Sequence, residues 1–130
     1  MLGSAQICTF IPTRDSEVAR RFYVDVLGLK FVSDDRFALV LDSNGIQLRV
    51  TKVARFEPHQ FTVLGWEVSD IEEVVDELSK KGVTFEKYGF LDQDERGIWT
   101  APPVDKTISK AQVAWFKDPD GNVLSLTQFG

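Results

Sequence analysis

The feature that most constrains the fold of this sequence is an order of elements that occurs twice. Each half contains a β-rich strand, a helix ending in Gly, two further strands, a Gly-containing turn and a last strand. Gly28 of the first half corresponds to Gly82 of the second, and the Asn44-Gly45 turn corresponds to Asp120-Gly121. Gly readily adopts the left-handed backbone conformation that helix ends and tight turns require. The repetition predicts an α+β fold built from two βαβββ modules.

The length of 130 residues fits a single domain, which we place at 1–130. Between its two halves lies a short polar segment with the sequence VARFEPH, and the pattern of strands and helices restarts after it. The predicted parts are the first module at 5–52, the linker at 53–59, the second module at 60–130, and a long mixed loop that enlarges the second module at 89–110.

Hydrophobic periodicity predicts the elements within each module. An apolar stripe at helical spacing predicts a helix at 16–27, and Ser69 with Glu72 predicts a capping box at the start of the second helix. The Asp118–Gly121 run predicts a tight turn, because Pro fixes φ at its second position and Gly supplies a positive φ at its end. The predicted strands are 5–12, 29–33, 36–42, 46–52, 60–68, 83–88, a short one near 97–100, and the two arms of a hairpin at 111–128.

Composition and charge exclude several kinds of partner. The net charge is −5 and no Lys/Arg-rich run exists, so we expect neither nucleic acid nor an anionic membrane surface as a partner. No apolar run approaches the roughly 20 residues that span a bilayer. A single cysteine, Cys8, excludes an intrachain disulfide and fits a reducing compartment, so we expect a cytoplasmic protein.

Two stretches identify a family that the sequence resembles. FYVDVLGLKF at 22–31 and WFKDPDGNVLSL at 115–126, placed in paired βαβββ modules, are similar to the vicinal oxygen chelate superfamily, which includes glyoxalase I, bleomycin-resistance proteins and extradiol dioxygenases. The resemblance implies a cup-shaped, largely antiparallel sheet with helices on its outer face and a small-molecule site in the cup. It also implies a homodimer. It does not specify a reaction, because one fold supports many functions.

The same resemblance places the metal-ligand positions of the family on residues that are poor ligands. The first position falls on Cys8, the second on Gln47 (or on Arg49 by spacing from the turn), the third on Val63 and the fourth on Ser125. Divalent ions of this kind are held by imidazole nitrogens or carboxylate oxygens. Val63 has no ligand atom, and Ser125 offers a neutral hydroxyl in a slot often held by Glu. We therefore expect no metal and no other cofactor.

Polar side chains in the predicted cup have two interpretations. Gln47 and Arg49 alternate with apolar residues on one strand, so both should face the cup. They either pair with each other or with Glu67, or they hold a carboxylate or carbonyl group of a ligand. Strand aromatics such as Phe37 are either core or pocket lining. The predicted ligand-binding residues are Cys8, Phe10, Gln47, Arg49, Phe61, Val63, Trp99, Trp115 and Ser125.

Three functional hypotheses remain open on the sequence alone. The leading one is a glyoxalase/bleomycin-resistance-like protein that binds a small, partly apolar or aromatic molecule without a metal. The alternative is a lyase, isomerase or dioxygenase-type enzyme of the same superfamily acting on a small carbonyl compound, either with or without a divalent metal. A metal version would recruit ligands off the family pattern, for instance Gln47 with Glu67, or His59. In a metal-free version Glu67 is the candidate base, and His59, interpreted as a surface residue, is a second candidate at the rim. The third is a degenerate scaffold that serves as an interaction module.

Overall fold

The computed structural model describes residues 1–102 and 110–130. By its internal contacts the chain divides into two compact units, Met1–Pro58 and His59–Gly130. Each unit contains one four-stranded sheet and one α-helix among its described residues, and in each the order along the chain is βαβββ. The predicted α+β fold of two such modules is confirmed. None of the helices in the described ranges is long and apolar enough to cross a membrane.

The first unit forms a mixed sheet with strand order β1-β4-β3-β2. Strand β1 pairs with β4 in parallel, and the other neighbours are antiparallel. The elements are β1 (Cys8–Thr13), α1 (Ser16–Arg20), a π-helical turn that continues α1 (Arg21–Val26), β2 (Lys30–Asp34), β3 (Ala38–Ser43) and β4 (Ile46–Lys52).

Helix α1 is shorter and less regular than the single helix predicted at 16–27. It begins at the N-cap Asp15, whose carboxylate accepts hydrogen bonds from the backbone N–H groups of Glu17 and Val18. From Arg21 the backbone widens into the π-helical turn, which ends before Gly28 at a φ of 83°. Tyr23 is fully buried, so the predicted apolar stripe does face the interior of the unit.

Alternation along the strands sorts the first sheet into two faces. Ile11, Val50 and Leu39 lie side by side on β1, β4 and β3 and are almost completely buried. Helix α1 packs against β3 and β4, and we assign it to this buried face. The neighbouring row, Phe10 and Arg49, has the opposite parity.

The second unit repeats this topology with strand order β5-β8-β7-β6. Strand β5 runs parallel to β8, and the β8–β7 and β7–β6 pairs are antiparallel. The elements are β5 (Thr62–Glu67), α2 (Ile71–Lys80), β6 (Trp99–Ala101), β7 (Ala111–Lys117) and β8 (Val123–Phe129).

The predicted capping box at the start of α2 is wrong. The N-cap is Asp70, whose Oδ1 accepts the backbone N–H of Glu73 at 3.1 Å, so the cap lies one residue later than Ser69. The side-chain Oε1 of Gln128 accepts the N–H of Ile71 at 2.8 Å and thereby joins the helix to β8. This bond places α2 on the face of the second sheet to which Gln128 belongs.

The predicted strand at 83–88 is reduced to a single β-bridge between Phe85 and Phe116. The edge of the sheet is instead formed by β6, close to the short strand predicted near 97–100. This strand lies within the predicted 89–110 loop, whose residues 103–109 lie outside the described part of the chain.

The turn between β7 and β8 has the predicted tight geometry and a buried carboxylate at its centre. The N–H of Gly121 donates to the carbonyl oxygen of Asp118 at 3.0 Å, and Gly121 has a φ of 90°. The Oδ1 of Asp118 accepts the N–H groups of Asp120 and Asn122, both at 2.9 Å. Its Oδ2 accepts the Asn122 side-chain amide, also at 2.9 Å. A single carboxylate therefore satisfies most of the donors in this turn.

Candidate functional site

Each sheet has one face packed on the helix of its own unit and a second face of opposite parity. We call these second faces the first and second helix-free faces, after the unit to which they belong. The first contains Cys8, Phe10, Gln47 and Arg49, and the second contains Gly65, Ser125 and Trp115. Most of the predicted ligand-binding residues are therefore brought together in two groups, one on each sheet.

On the first helix-free face, Gln47 is the centre of a small polar network. Its side-chain Oε1 accepts a hydrogen bond from Arg49 Nη1 at 3.3 Å and from the thiol of Cys8 at 3.5 Å. No other hydrogen bond of the Arg49 guanidinium occurs among the described residues, which leaves most of its five N–H donors available. Next to Arg49 across the β1–β4 pair, the ring of Phe10 is 65% exposed. This face offers a cation beside an accessible apolar surface.

On the second helix-free face, Gly65, Ser125 and Trp115 form one row across three strands. Ser125 is buried to 7% exposure. A Cβ atom at position 65 would lie 2.5 Å from Ser125 Oγ, which is closer than nonbonded atoms approach. Only Gly at this position allows the Ser125 side chain to take its place in the row.

Trp115 of this row belongs to a group of four aromatic rings in mutual contact, which we call the aromatic cluster: Tyr88, Phe90, Trp99 and Trp115. The centroids of Trp99 and Trp115 are 6.1 Å apart, and Tyr88 meets Trp115 edge to face at 5.6 Å. Phe90 stacks on Tyr88 at 5.8 Å and is itself 83% exposed. Burial raises the pKa of the Tyr88 hydroxyl above its ordinary value, and the nearby charge of Glu86 raises it further.

Tyr88 and Phe90 are not among the site residues predicted from the sequence. A signal for Tyr88 was present in the alternation of residues 83–88. Phe85 packs on the core residue Phe116 at 5.5 Å, so residues of the opposite parity point away from the core. Glu86 does so and forms an ion pair with Lys117 at 3.3 Å. Tyr88 has the same parity as Glu86 and reaches Trp115. No comparable pattern identifies Phe90.

The remaining predicted site residues lie on or before β5. Val63 sits at an irregularity in the β5–β8 register, between Thr62 and Leu64, and is partly exposed. Phe61 precedes the strand and stacks on His59, with ring centroids 4.7 Å apart, and both residues are exposed. Glu67, at the end of β5, is exposed and pairs in register with Thr127.

The family resemblance implies a divalent metal, and the residues at the corresponding positions do not fit one. Gln47 Oε1, the best ligand atom in the set, already accepts a hydrogen bond from the positively charged Arg49. Val63 contributes no donor atom, and Ser125 contributes a neutral hydroxyl instead of a carboxylate. Across residues 1–102 and 110–130, no three His, Cys, Asp or Glu side chains are grouped as a metal site would require.

Comparison with known proteins identifies the family of the chain. The sequence profile of the Glyoxalase/Bleomycin resistance protein/Dioxygenase superfamily matches residues 5–126, nearly the whole chain. The chain belongs to this superfamily. The resemblance inferred from the two sequence motifs is thus confirmed. No curated protein sequence matches the chain.

Solved structures of the glyoxalase/bleomycin-resistance/dioxygenase superfamily share the fold over almost the full length. A glyoxalase family protein from Bacillus anthracis has a TM-score of 0.73 at 16% identity, covering 98% of this chain and 96% of its own. A superfamily member from Sphaerobacter thermophilus has a TM-score of 0.70 at 24% identity, covering 98% and 99%. TnmS3, an antibiotic binding protein from Streptomyces sp. CB03234, has a TM-score of 0.69 at 23% identity, covering 100% and 99%. Identities this low establish the shared fold alone.

Proposed function

We propose that this protein binds a small, partly apolar or aromatic molecule and does so without a metal ion. The observation that carries the proposal is the aromatic cluster on the second helix-free face, which lies beside the hydroxyl of Ser125. Ligand sites typically combine an apolar, aromatic lining with a few polar groups that fix orientation. This face has both parts.

Physical chemistry favours a planar ligand on this surface. The indole rings of Trp99 and Trp115 are tilted by only 33° relative to each other, and Tyr88 adds a ring edge beside Trp115. Offset stacking and edge-to-face contacts with such rings contribute about 1 kcal/mol each beyond the burial of apolar area. The Ser125 hydroxyl can donate to or accept from one polar atom of the same ligand.

The first helix-free face supplies a second kind of anchor. Arg49 can donate to a carboxylate, sulfonate or carbonyl group, while Gln47 holds the guanidinium through one of its nitrogens. Cys8 and Phe10 lie on the same face, where Cys8 adds a thiol and Phe10 adds an apolar surface. We propose Arg49 as the group that recognises an anionic or carbonyl substituent, with Gln47 as its support.

Two further points support binding as the function. TnmS3 is described as an antibiotic binding protein, and the superfamily name includes bleomycin resistance, so binding of a small molecule occurs in this fold. The donor chemistry at the family's metal positions argues against a bound ion. Glu67 stays the predicted base of the enzymatic alternative, and no contact of its side chain among the described residues favours that role over a solvated carboxylate.

A probe screen tests the proposal. The neutral fluorophore N-phenyl-1-naphthylamine and its sulfonated analogue 8-anilinonaphthalene-1-sulfonate share their aromatic rings and differ in charge. Both should raise the melting temperature of the protein and show saturable binding, since ligands that bind only the folded state stabilise it. Bleomycin serves as a third probe. If none of the three binds, the proposed function is wrong.

Variants at the two faces separate the proposed roles. Replacing Trp115 with Ala should weaken binding of the neutral probe. Replacing Arg49 with Ala should weaken the sulfonated probe by about tenfold, the effect of losing one hydrogen bond to a charged group. Binding of the neutral probe should be unchanged in that variant. An equal effect of Arg49→Ala on both probes would exclude its role as an anion anchor.

We also propose that the protein forms a homodimer. Several large apolar side chains are exposed in each unit, Phe37 at 65% and Phe129 at 58% among them, which supports burial against a second copy or a ligand. Light scattering should then give about twice the chain mass of 14.7 kDa, and a mass equal to one chain would exclude the dimer. A cytoplasmic location also stays a prediction, and it depends on the single free cysteine.

A further inference from the structure

The segment from Glu86 to Trp99 carries three rings of the aromatic cluster but has little regular secondary structure of its own. Its shape depends on hydrogen bonds made by one side chain. The amide of Gln93 accepts the backbone N–H of Tyr88 through Oε1 at 2.7 Å. Its Nε2 donates to the carbonyl oxygens of Gly97 at 2.7 Å and of Glu86 at 3.0 Å. All three hydrogen bonds are partly buried.

The backbone of Gln93 makes a second connection. It forms an isolated antiparallel β-bridge with Trp99. The hydrogen bond of this bridge runs from the N–H of Asp94 to the carbonyl oxygen of Ile98 at 3.0 Å. Gln93 is therefore bonded to Tyr88 and lies opposite Trp99, the two rings that flank Trp115 in the aromatic cluster. Adjacent bonds fix the ends of the segment: Glu86 N–H donates to the Trp115 carbonyl at 2.8 Å, and Arg96 forms an ion pair with Asp76 on α2 at 2.9 Å.

We propose that Gln93 is the positioning residue of the aromatic cluster. Its side chain holds the backbone of Tyr88 and, through Gly97, the chain that leads into Trp99, so both rings are placed against Trp115 before any ligand binds. A surface that is already ordered loses less conformational entropy on binding, so this arrangement increases affinity without a contact between Gln93 and the ligand. The inference rests on the proposed function for its effect on binding, but its effect on Tyr88 is independent of any ligand.

Three single variants test the role of Gln93. Gln93→Leu keeps the side-chain size and removes all three hydrogen bonds. Gln93→Glu keeps the acceptor for Tyr88 but places an ionised oxygen against two carbonyl groups, whereas its protonated form can donate one bond again. Asp92→Asn changes the charge of the neighbouring residue, which has no hydrogen bond or ion pair among the residues described, and serves as the control.

Two readouts are needed. The first is the affinity for N-phenyl-1-naphthylamine, which should fall about tenfold in Gln93→Leu and stay within about twofold in Asp92→Asn. In Gln93→Glu the affinity for this probe should be weaker at pH 8 than at pH 5. The difference between the two pH values should be larger than in the wild type. The second is the ultraviolet titration of Tyr88, assigned by its loss in Tyr88→Phe. In Gln93→Leu the pKa of Tyr88 should move down towards the ordinary tyrosine value, because the ring is no longer held in a buried place.

The outcomes separate this inference from the proposed function. The positioning role is overturned if the Gln93→Leu variant binds the probe as the wild type does and its Tyr88 titrates at the same pH. If the wild type binds no probe, the proposed function fails, and the Tyr88 titration alone decides whether Gln93 positions the ring. If Gln93→Leu does not fold, the pH dependence of probe binding by Gln93→Glu decides. The positioning role is overturned if the affinity of this variant changes between pH 5 and pH 8 by no more than that of the wild type.

Discussion

At the scale of single residues, the absence of a side chain at position 65 decides what its neighbour can do. Ser125 Oγ occupies the space that a Cβ atom of residue 65 would need, at 2.5 Å. The backbone at Gly65 is not in the left-handed region, so no conformational requirement explains this Gly. Its role is to leave room for the Ser125 hydroxyl on the second helix-free face, where we propose that the ligand binds.

We therefore predict that Gly65→Ala reorients or displaces Ser125 and weakens binding of N-phenyl-1-naphthylamine. The overlap should also lower the free energy of unfolding by about 1 to 3 kcal/mol, as overpacking in a filled site does. Urea denaturation measures this loss. Adding Ser125→Ala to Gly65→Ala removes the clashing oxygen and should recover most of the stability but not the binding.

Gly3→Ala is the matched control for this pair, because an added Cβ at Gly3 meets no atom within 4 Å. Its stability and probe affinity should equal those of the wild type. If the double variant is no more stable than Gly65→Ala, the contact with Ser125 is not the cause of the loss.

Asp35, in the turn between β2 and β3, makes a pH-dependent contribution to the stability of the folded protein. Its Oδ1 accepts the backbone N–H groups of Phe37 at 2.7 Å and Ala38 at 2.9 Å. The bond from Ala38 is the main cause, and that from Phe37 the second, of the lowered pKa of this carboxyl in the folded protein. A carboxyl with a lowered folded pKa stabilises the protein above its unfolded pKa of about 4 and loses that effect as pH falls through the folded value.

Replacing Asp35 with Ala should consequently destabilise the protein at pH 6 and have a smaller effect as pH falls towards 2. Urea denaturation of both proteins at several pH values gives the difference directly. A difference that stays constant from pH 6 to pH 2 would show that the charge of Asp35 contributes nothing.

At the scale of elements, the β7–β8 hairpin depends on one buried carboxylate. Asp118 is 5% exposed and accepts three hydrogen bonds within the turn. Asp118→Ala leaves buried N–H donors without an acceptor and should lower the free energy of unfolding by roughly 2 to 4 kcal/mol. Asp118→Asn keeps the acceptor at one oxygen and should cost less.

Urea denaturation of the two Asp118 variants tests this order, with Glu95→Ala as an exposed control that should stay within about 0.5 kcal/mol of the wild type. If Asp118→Ala is as stable as that control, the turn is held by its backbone geometry, with Gly121 at positive φ, and not by the carboxylate.

The elements that the sequence predicted correctly are those with a local cause. Gly28 and Gly82 end their helices at positive φ, and the Asp118–Gly121 run forms a tight turn, because backbone preferences act over a few residues. The cap of α2 was misplaced because Ser69 and Asp70 are adjacent and both have capping side chains. Which of the two caps the helix depends on the path of the backbone just before α2. Gln128 on β8 influences that path, because its side chain accepts the N–H of Ile71.

Long-range contacts explain the rest of the differences. Residues 83–88 have the composition of a strand, yet β6 occupies the sheet edge and leaves only the Phe85–Phe116 bridge. The contribution of Tyr88 and Phe90 to the aromatic cluster depends on the Gln93 hydrogen bonds, which hydrophobic periodicity does not encode. Strand parity predicted that Gln47 and Arg49 share a face, whereas Ser125 was singled out through the family resemblance.

At the scale of the whole molecule, duplication of one module has produced two faces with different chemistry. The first helix-free face contains Arg49, with Gln47 and Phe10, and the second contains the aromatic cluster with Ser125. The superfamily fold supplies sheets of this kind to proteins of many functions, so the side chains on these faces, not the fold, carry the proposal for this member. The side chains favour a binding protein that does not depend on a metal.

The most direct test of this account is a fluorescence titration of the wild-type protein with N-phenyl-1-naphthylamine after treatment with EDTA and removal of the chelator. We predict saturable binding to the metal-stripped protein, with an affinity that does not change when Zn²⁺, Ni²⁺ or Mn²⁺ is added back. Binding that is lost on stripping and restored only by one of these ions would contradict the central claim.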